Sequence, residues 1–162
     1  FLKERFRDIL EIGKSDKTII QDRSIYEGVH VFAKNNHNQG TISDLDFETY
    51  MDLFEQMLSM TREPDLMIYL RASIEHLVGN IQKRGREYEQ TMQLDYLKGL
   101  NKQYEEFINN NYKGRVLIID VNNLDYEHRP EDFRFITDKI DQIIYGLFPL
   151  NEKRPAESPS GF

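Results

Sequence analysis

The 162 residues contain no cysteine, which removes disulfides, zinc-thiolate centres and a thiol nucleophile together and suits a reducing cytoplasm. No apolar run approaches the ~20 residues of a membrane span, and residues 1–10 alternate charged and apolar side chains like an amphipathic helix, not a signal peptide. Positive charge is in short supply: 21 Lys and Arg face 28 Asp and Glu, a formal net charge of −7. Wrapping a nucleic-acid backbone needs a clustered positive field, so a nucleic-acid polymer is not an expected partner. His30, His37, His76 and His128 show no metal-ligand spacing, and no serine sits in a Gly-x-Ser-x-Gly turn, so neither a zinc site nor a hydrolase triad is indicated.

With 39% apolar residues the chain can bury one substantial core. Leu2, Phe6, Ile9 and Leu10 share a helical face that Gly13 terminates. Thr18-Ile19-Ile20-Gln21 is a β-branched run that predicts a short strand, followed by a helix over 25–33 and a polar loop over 35–40. Ser43 or Asp44 can cap the next helix, whose apolar positions Phe47, Tyr50, Met51, Phe54, Met57 and Leu58 follow the 3.6-residue period and which Pro64 closes. Leu66 to Leu70 and Val116 to Ile119 are continuous apolar runs, as in parallel strands covered on both faces. Between them lie a helix capped by Ser73 and ending near Gly85, and another marked by Leu97, Leu100, Tyr104, Phe107 and Ile108. Ile136, Ile140, Ile143, Ile144 and Leu147 define a last helix. The expectation is an α/β fold, a parallel sheet flanked by helices, with one unit over 1–148 and a flexible tail over 149–162. Three strands are few for such a sheet, so either the unit borrows strands from elsewhere or sequence before Phe1 supplies them; the chain also opens inside a helical pattern with no cap before it.

In open parallel sheets ligands gather beyond the carboxyl ends of the strands, and the predicted strands place Asp22, Arg23 and Asp120 there. An acid followed by an arginine at such an edge can hold a metal ion and neutralise a phosphoryl group in transfer. The same dipeptide is also what a buried structural ion pair looks like. Arg84-Gly85-Arg86 at a helix end can close on phosphate oxygens through guanidinium forks, or simply be a solvated basic terminus. Glu87 and Glu89 beside it can accept from a sugar hydroxyl or compensate charge. Phe32 can stack on a nucleobase, or pack in the core. Gly13-Lys14-Ser15 matches the end of the phosphate-cradling motif GxxxxGKS, but Asp8 stands where its first glycine belongs and the tripeptide follows a helix rather than a strand, so it is expected to be a decoy.

In order and spacing these pieces resemble the deoxynucleoside kinase family, in particular bacterial deoxyadenosine/deoxyguanosine kinases. Asp22-Arg23-Ser24-Ile25-Tyr26-Glu27 with Phe32-Ala33 resembles its acid-Arg-Ser segment, and Pro64-Asp65-Leu66-Met67-Ile68-Tyr69-Leu70 its Pro-Asp-Leu strand. Arg84-Gly85-Arg86-Glu87-Tyr88-Glu89-Gln90 and Leu94-Asp95-Tyr96-Leu97 resemble the arginine lid and the helix after it, and Asp120-Val121-Asn122 the strand end before the loop over the ATP adenine. The resemblance covers 1–148 and implies a P-loop kinase-like fold and ATP-dependent phosphorylation of a deoxyribonucleoside, with a purine expected, on its 5′-hydroxyl in nucleotide salvage. It further implies that Asp22 sits near Mg2+ and the phosphates, and that Arg23 contacts the 5′-oxygen and the catalytic carboxylate. Phe32 would stack on the base and Arg5 would face its edge. Arg84 and Arg86 would clamp the phosphates of the nucleoside triphosphate, Asp120 would stand beside it, and Glu89 would bind the 3′-hydroxyl. It also implies a homodimer built on the helices after Ser24 and around 97–108.

The chain departs from the family pattern in three places. The phosphate loop, the general-base glutamate and the base-reading glutamine precede the position of Phe1 in the family, so these residues alone are expected to be inactive. Gly28 stands where many relatives carry a base-reading aspartate, and Asn80 replaces the first lid arginine. Two other readings compete: a thymidylate-type monophosphate kinase, which would need more positive charge at the acceptor, and a non-catalytic dimerisation module. Reading the gene upstream of Phe1 is expected to reveal a strand followed by GxxxxGK[ST]; an upstream segment without that motif removes the kinase reading.

Overall fold

In the computed structural model of the chain, residues 2–86 and 94–146 are described. Helix α1 (Leu2–Ile12) closes on Gly13, whose N–H reaches the Ile9 carbonyl at 2.9 Å. Helix α2 is a continuous helical run with three parts, Ile25–Glu27, a π-helical stretch Gly28–Ala33, and Lys34–Asn38. A capping box starts it: the Ser24 hydroxyl accepts from the Tyr26 N–H while the Glu27 carboxylate accepts from the Ser24 backbone N–H, so two of the orphan donors at the helix start are satisfied. Helix α3 (Asp44–Leu58) is capped by Ser43, and α4 (Ile74–Arg84) by Ser73. Gly85 ends α4 in the left-handed region at φ +65°, a conformation glycine adopts without a Cβ clash. Helix α5 (Leu94–Glu106) runs on into a π turn, Phe107–Asn111, and α6 (Pro130–Tyr145) begins with proline at its first position, where the missing N–H costs nothing.

Strands β1 (Met67–Arg71) and β2 (Val116–Asp120) pair in parallel, with Met67 opposite Val116 and Arg71 opposite Asp120. Residues paired in register share a face of the sheet, so the alternation of side chains divides the apolar residues between two cores. Met67, Tyr69 and Val116 pack on a core of Ile25, Tyr26, Val29, Val31, Phe54, Phe107 and Ile108, which belongs to α2, α3 and the end of α5. Leu117 and Ile119 face the other way, onto Ala72, Val121 and Ile136, with Leu77 of α4 and Ile140 and Ile143 of α6 around them. The fold is therefore α/β, a small parallel sheet between helical layers, as the sequence predicts. Among the described residues no helix is long and apolar enough to cross a membrane.

Three of the seven buried residues of the first core are aromatic. Tyr26 meets Phe54 and Tyr112 edge-on at 5.8 and 5.3 Å, and His30 lies flat on Phe107 at 5.2 Å with the edge of Phe54 against it. Burial, helped by Lys34, pushes the His30 pKa down, which fits a neutral ring used for packing.

Three expectations are corrected. Residues 18–21 form no strand: Ile19 and Ile20 are exposed, Ile20 to 90%, because a β-branched run becomes a strand only beside a ladder partner and the described residues offer none there. The sheet of described residues accordingly has two strands, not three. Residues 35–38 are helical rather than a loop, because Asn35 is drawn into the α2–α5 contact and buried to 3% exposure. Helix α3 stops at Leu58 with Ser59 as its cap, six residues before Pro64, which lies in the following loop. Leu147 and the tail 149–162 lie outside the described residues.

The α2–α5 contact turns on Gly99, where a methyl group would overlap Asn35 Oδ1. Gly99→Ala is expected to destabilise the fold by about 1–2 kcal/mol, because overpacking outweighs the ~1 kcal/mol gain in helix propensity. In urea unfolding Asn35→Ala should restore most of that loss in the double variant; strict additivity of the two changes would mean that the contact is not made.

Candidate active site

The aromatic wall of the site starts on β1 and crosses to two helices. Tyr69 stacks on Tyr104 of α5 with centroids 5.8 Å apart and planes at 8°, and Tyr104 presents itself edge-on to Phe32 of α2 at 6.3 Å. Over the Phe32 ring lies the Arg23 guanidinium, 5.2 Å from its centroid. Arg23 has φ +60°, alone among non-glycine residues of the described chain. Such a backbone costs on the order of 1–3 kcal/mol and persists only where the surroundings enforce it. Ser24, immediately after it, is fixed by the capping box, so the strained residue is the hinge between an exposed loop and an anchored helix.

Asp22, Arg23 and Glu27 all act on the Tyr104 phenol. Burial, with the negative charges of Glu27 and Asp22 and against the positive charge of Arg23, pushes its pKa up to about 12. The acid-arginine segment therefore stands at the side of Tyr104. Behind that ring Tyr69 donates its hydroxyl to Glu105 at 3.0 Å, and Arg71, the last residue of β1, forks onto the same carboxylate with two bonds of 2.9 Å. Arg23 and Asp22 follow no strand, contrary to expectation; they lie within electrostatic reach of Tyr104, which stacks on Tyr69 in the middle of β1.

A second group of candidate residues surrounds α4. Asp120 ends β2 and accepts from both the backbone and the side-chain N–H of Asn122, whose Oδ1 accepts from the Ser73 N–H at 2.8 Å. This pins the loop after β2 to the N-terminus of α4. Arg84 and Arg86 are exposed at the opposite tip, on either side of the left-handed Gly85. The loop 121–129 passes near that tip too: Asp125 raises the pKa of His128 through a 2.8 Å bond and their charge attraction, while Lys83 is near enough to oppose it. Helices α4 and α5 touch, but among the described residues no bond or ring contact is seen between this group and Asp22, Arg23 and Phe32.

Of the residues singled out in the sequence, Arg23 and Phe32 are in contact, with Asp22 within electrostatic reach of the same tyrosine. Asp120 and the Arg84–Arg86 tip belong to the α4 group. Arg5 is half-buried on α1, whose apolar residues Leu2, Phe6 and Ile9 pack on the first core as Phe32 does. Glu89, like Glu87, lies outside the described residues. The N–H groups of Gly13, Lys14 and Ser15 are spent on the carbonyls of Ile9, Glu11 and Ile12, so this segment makes no phosphate cradle. In the sequence Tyr69 and Tyr104 read only as strand and helix positions, and Arg71 and Glu105 carry no signal of their own beyond an arginine closing an otherwise apolar strand and a Tyr-Glu pair on the facing helix.

Among the described residues no cluster of three or more His, Cys, Asp or Glu side chains could hold a metal ion.

A family model, deoxynucleoside kinase, matches residues 1–145. The deoxyadenosine/deoxycytidine kinase of Bacillus subtilis (strain 168) is 33% identical over 147 residues, covering 90% of this chain and 68% of that protein. The deoxyadenosine kinase of Dictyostelium discoideum is 37% identical over 107 residues, 66% of this chain and 43% of that one. Among solved structures, deoxyadenosine kinase from M. mycoides with bound dATP superposes with a TM-score of 0.71 at 31% identity, over 86% of this chain and 70% of that chain. The chain thus spans about two thirds or less of the length of these two relatives.

Asn122→Ala would strand the Ser73 N–H and remove the side-chain one of the two bonds to Asp120, and is expected to cost about 1–3 kcal/mol in urea unfolding. An unchanged midpoint would show that Asn122 is not the tie between β2 and α4.

Proposed function

Because the chain belongs to the deoxynucleoside kinase family, we propose that it forms the acceptor wall and lid of an enzyme that moves the γ-phosphoryl group of ATP to the 5′-hydroxyl of a deoxyribonucleoside. The observation that carries this reading is the Arg23 guanidinium over Phe32 with Asp22 beside it. A flat aromatic face bordered by a cation and an acid suits a molecule whose one end is a planar base and whose other end receives a phosphoryl group. On this reading the base takes the place of Arg23 over Phe32, Arg5 faces the base edge, and the displaced guanidinium turns to the 5′-oxygen. Asp22 meets Mg2+ carried on the triphosphate; when bound, that ion neutralises charge on the transferring group.

Arg84 and Arg86 close on the donor phosphates from the tip of α4, where Gly85 gives the turn its freedom. The loop after Asp120 borders the rest of the donor, and Glu89 accepts from the 3′-hydroxyl. A purine deoxynucleoside fits relatives that phosphorylate deoxyadenosine or deoxyguanosine, as their names state. The role is nucleotide salvage, in the cytoplasm. Helices α2 and α5, which already pack together in one chain, form the face of a homodimer. The sequence contains no GxxxxGK[ST], so the phosphate loop and the proton-accepting carboxylate come from outside these 162 residues, which alone do not turn over.

The test is a phosphorylation assay on the parent protein with labelled ATP and the four deoxynucleosides. At least one purine deoxynucleoside should be converted to its 5′-monophosphate, and Arg86→Ala should lower kcat by about tenfold or more, since clamping charge that builds in the transition state contributes a few kcal/mol. No product from any deoxynucleoside would overturn the function, and unchanged turnover in the variant would remove the lid assignment.

A further inference from the structure

The Phe32 face is held from behind. Glu105 is bonded on both oxygens: Oε1 accepts from the Tyr69 hydroxyl at 3.0 Å and from Arg71 Nε at 2.9 Å, while Oε2 accepts from Arg71 Nη2 at 2.9 Å and Asn109 Nδ2 at 3.3 Å. Four donors saturate the lone pairs of a carboxylate, and the bidentate arginine fixes its plane. The carboxylate in turn fixes where the Tyr69 hydroxyl end lies, and Arg71 over the Tyr69 ring and Tyr104 stacked on it set the plane. Tyr104 lies parallel on Tyr69, within 8°, and its edge abuts Phe32 at 84°. Arg71 also sits over the Tyr69 ring at 5.9 Å, closing the stack from the strand side. Each link is a directional contact, so the tilt of Phe32 is tied to a carboxylate two rings away.

We propose that Glu105 is a positioning residue for the acceptor site: through Tyr69 and Tyr104 it sets the angle at which Phe32 meets the nucleobase, and it touches neither substrate. This rests on the reading of Phe32 as the base platform. Glu105 is one turn or less from Gln103 and Phe107, both buried, so it is anchored on a part of α5 that cannot shift to compensate. In Glu105→Gln the side chain keeps its size but turns an N–H2 group toward Arg71 or Tyr69, and the fork is lost. The consequence is confined to the wall behind the base, while the α4 tip that faces the donor is untouched.

The experiment compares wild-type parent protein with Glu105→Gln and with Tyr69→Phe, which removes a single hydroxyl and keeps the ring stack. Two readouts are taken: steady-state kinetics with each substrate varied, and the aromatic carbon-proton resonances of Phe32. Glu105→Gln should raise KM for the deoxynucleoside about tenfold, with kcat and KM for ATP within about twofold, the pattern of lost ground-state positioning. Tyr69→Phe should raise the same KM by a smaller factor, about threefold, and both should move the Phe32 resonances. A purely structural role would instead lower kcat and disturb both KM values together, and that result, or an unmoved deoxynucleoside KM with unmoved Phe32 signals, overturns the proposal. If Glu105→Gln does not fold, Tyr69→Phe decides. If the wild-type protein phosphorylates no deoxynucleoside, the function itself is wrong, and the Phe32 resonances alone decide whether Glu105 sets that ring.

Discussion

A parallel sheet must be covered on both faces, and in this chain the cover on one face is also the candidate site. Tyr69 points from β1 into the layer formed by α2, α3 and α5, where it meets Tyr104 rather than an aliphatic side chain. A phenol placed there needs a hydrogen-bond acceptor, because burial without one is costly. Glu105 is that acceptor, and a carboxylate placed there needs a cation, which Arg71 provides from the end of the same strand. The polar demands of one tyrosine thus recruit a strand end and a helix face into a single fixture. Burial and the Glu105 charge raise the Tyr69 pKa well above the ordinary phenol value, so the hydroxyl remains a donor across the physiological range. Arg71 and Glu105 are each about one-third exposed, so the pair matters here more for geometry than for stability.

On that fixture rests α2. Its π-helical stretch carries Val29 and Val31, both fully buried, and Phe32, only partly buried. Burying residues two apart means that the helix is covered on more than one side, which leaves it little freedom to roll. Phe32 is therefore offered to Arg23 on a helix anchored from several directions, while Arg23 itself leaves the helix through a left-handed backbone. A rigid aromatic platform beside a strained, exposed arginine is a combination suited to a ligand that displaces the one and engages the other.

Much of this was legible in the sequence, and what was not has a physical reason. The caps Ser43 and Ser73 and the stop at Gly85 follow from local rules, because each depends on residues within a turn of one another, and both strands are legible as continuous apolar runs that find each other as ladder partners. Residues 18–21 misled because strand propensity is a statement about fitting a sheet, and no neighbouring strand is present among the described residues. Asn35 looked like loop because its burial is decided by Gly99, more than sixty residues away. The Asp-Arg-Ser segment and Phe32 stood out through resemblance, whereas Tyr69, Arg71, Tyr104 and Glu105 passed for core and surface positions of ordinary elements. Their partnership joins residues about 35 apart in sequence and becomes visible only when β1 and α5 are packed.

The central claim is that the face of Phe32 beneath the Arg23 guanidinium receives a nucleobase. Its most direct test is a titration of the protein with deoxyadenosine, followed through the Phe32 ring protons and the Arg23 Nε–H resonance. The account requires saturable ring-current shifts at Phe32 together with loss of the shift that the Phe32 ring imposes on Arg23, as one flat group replaces another. Resonances of both residues that stay in place while deoxyadenosine binds elsewhere, or not at all, would contradict it.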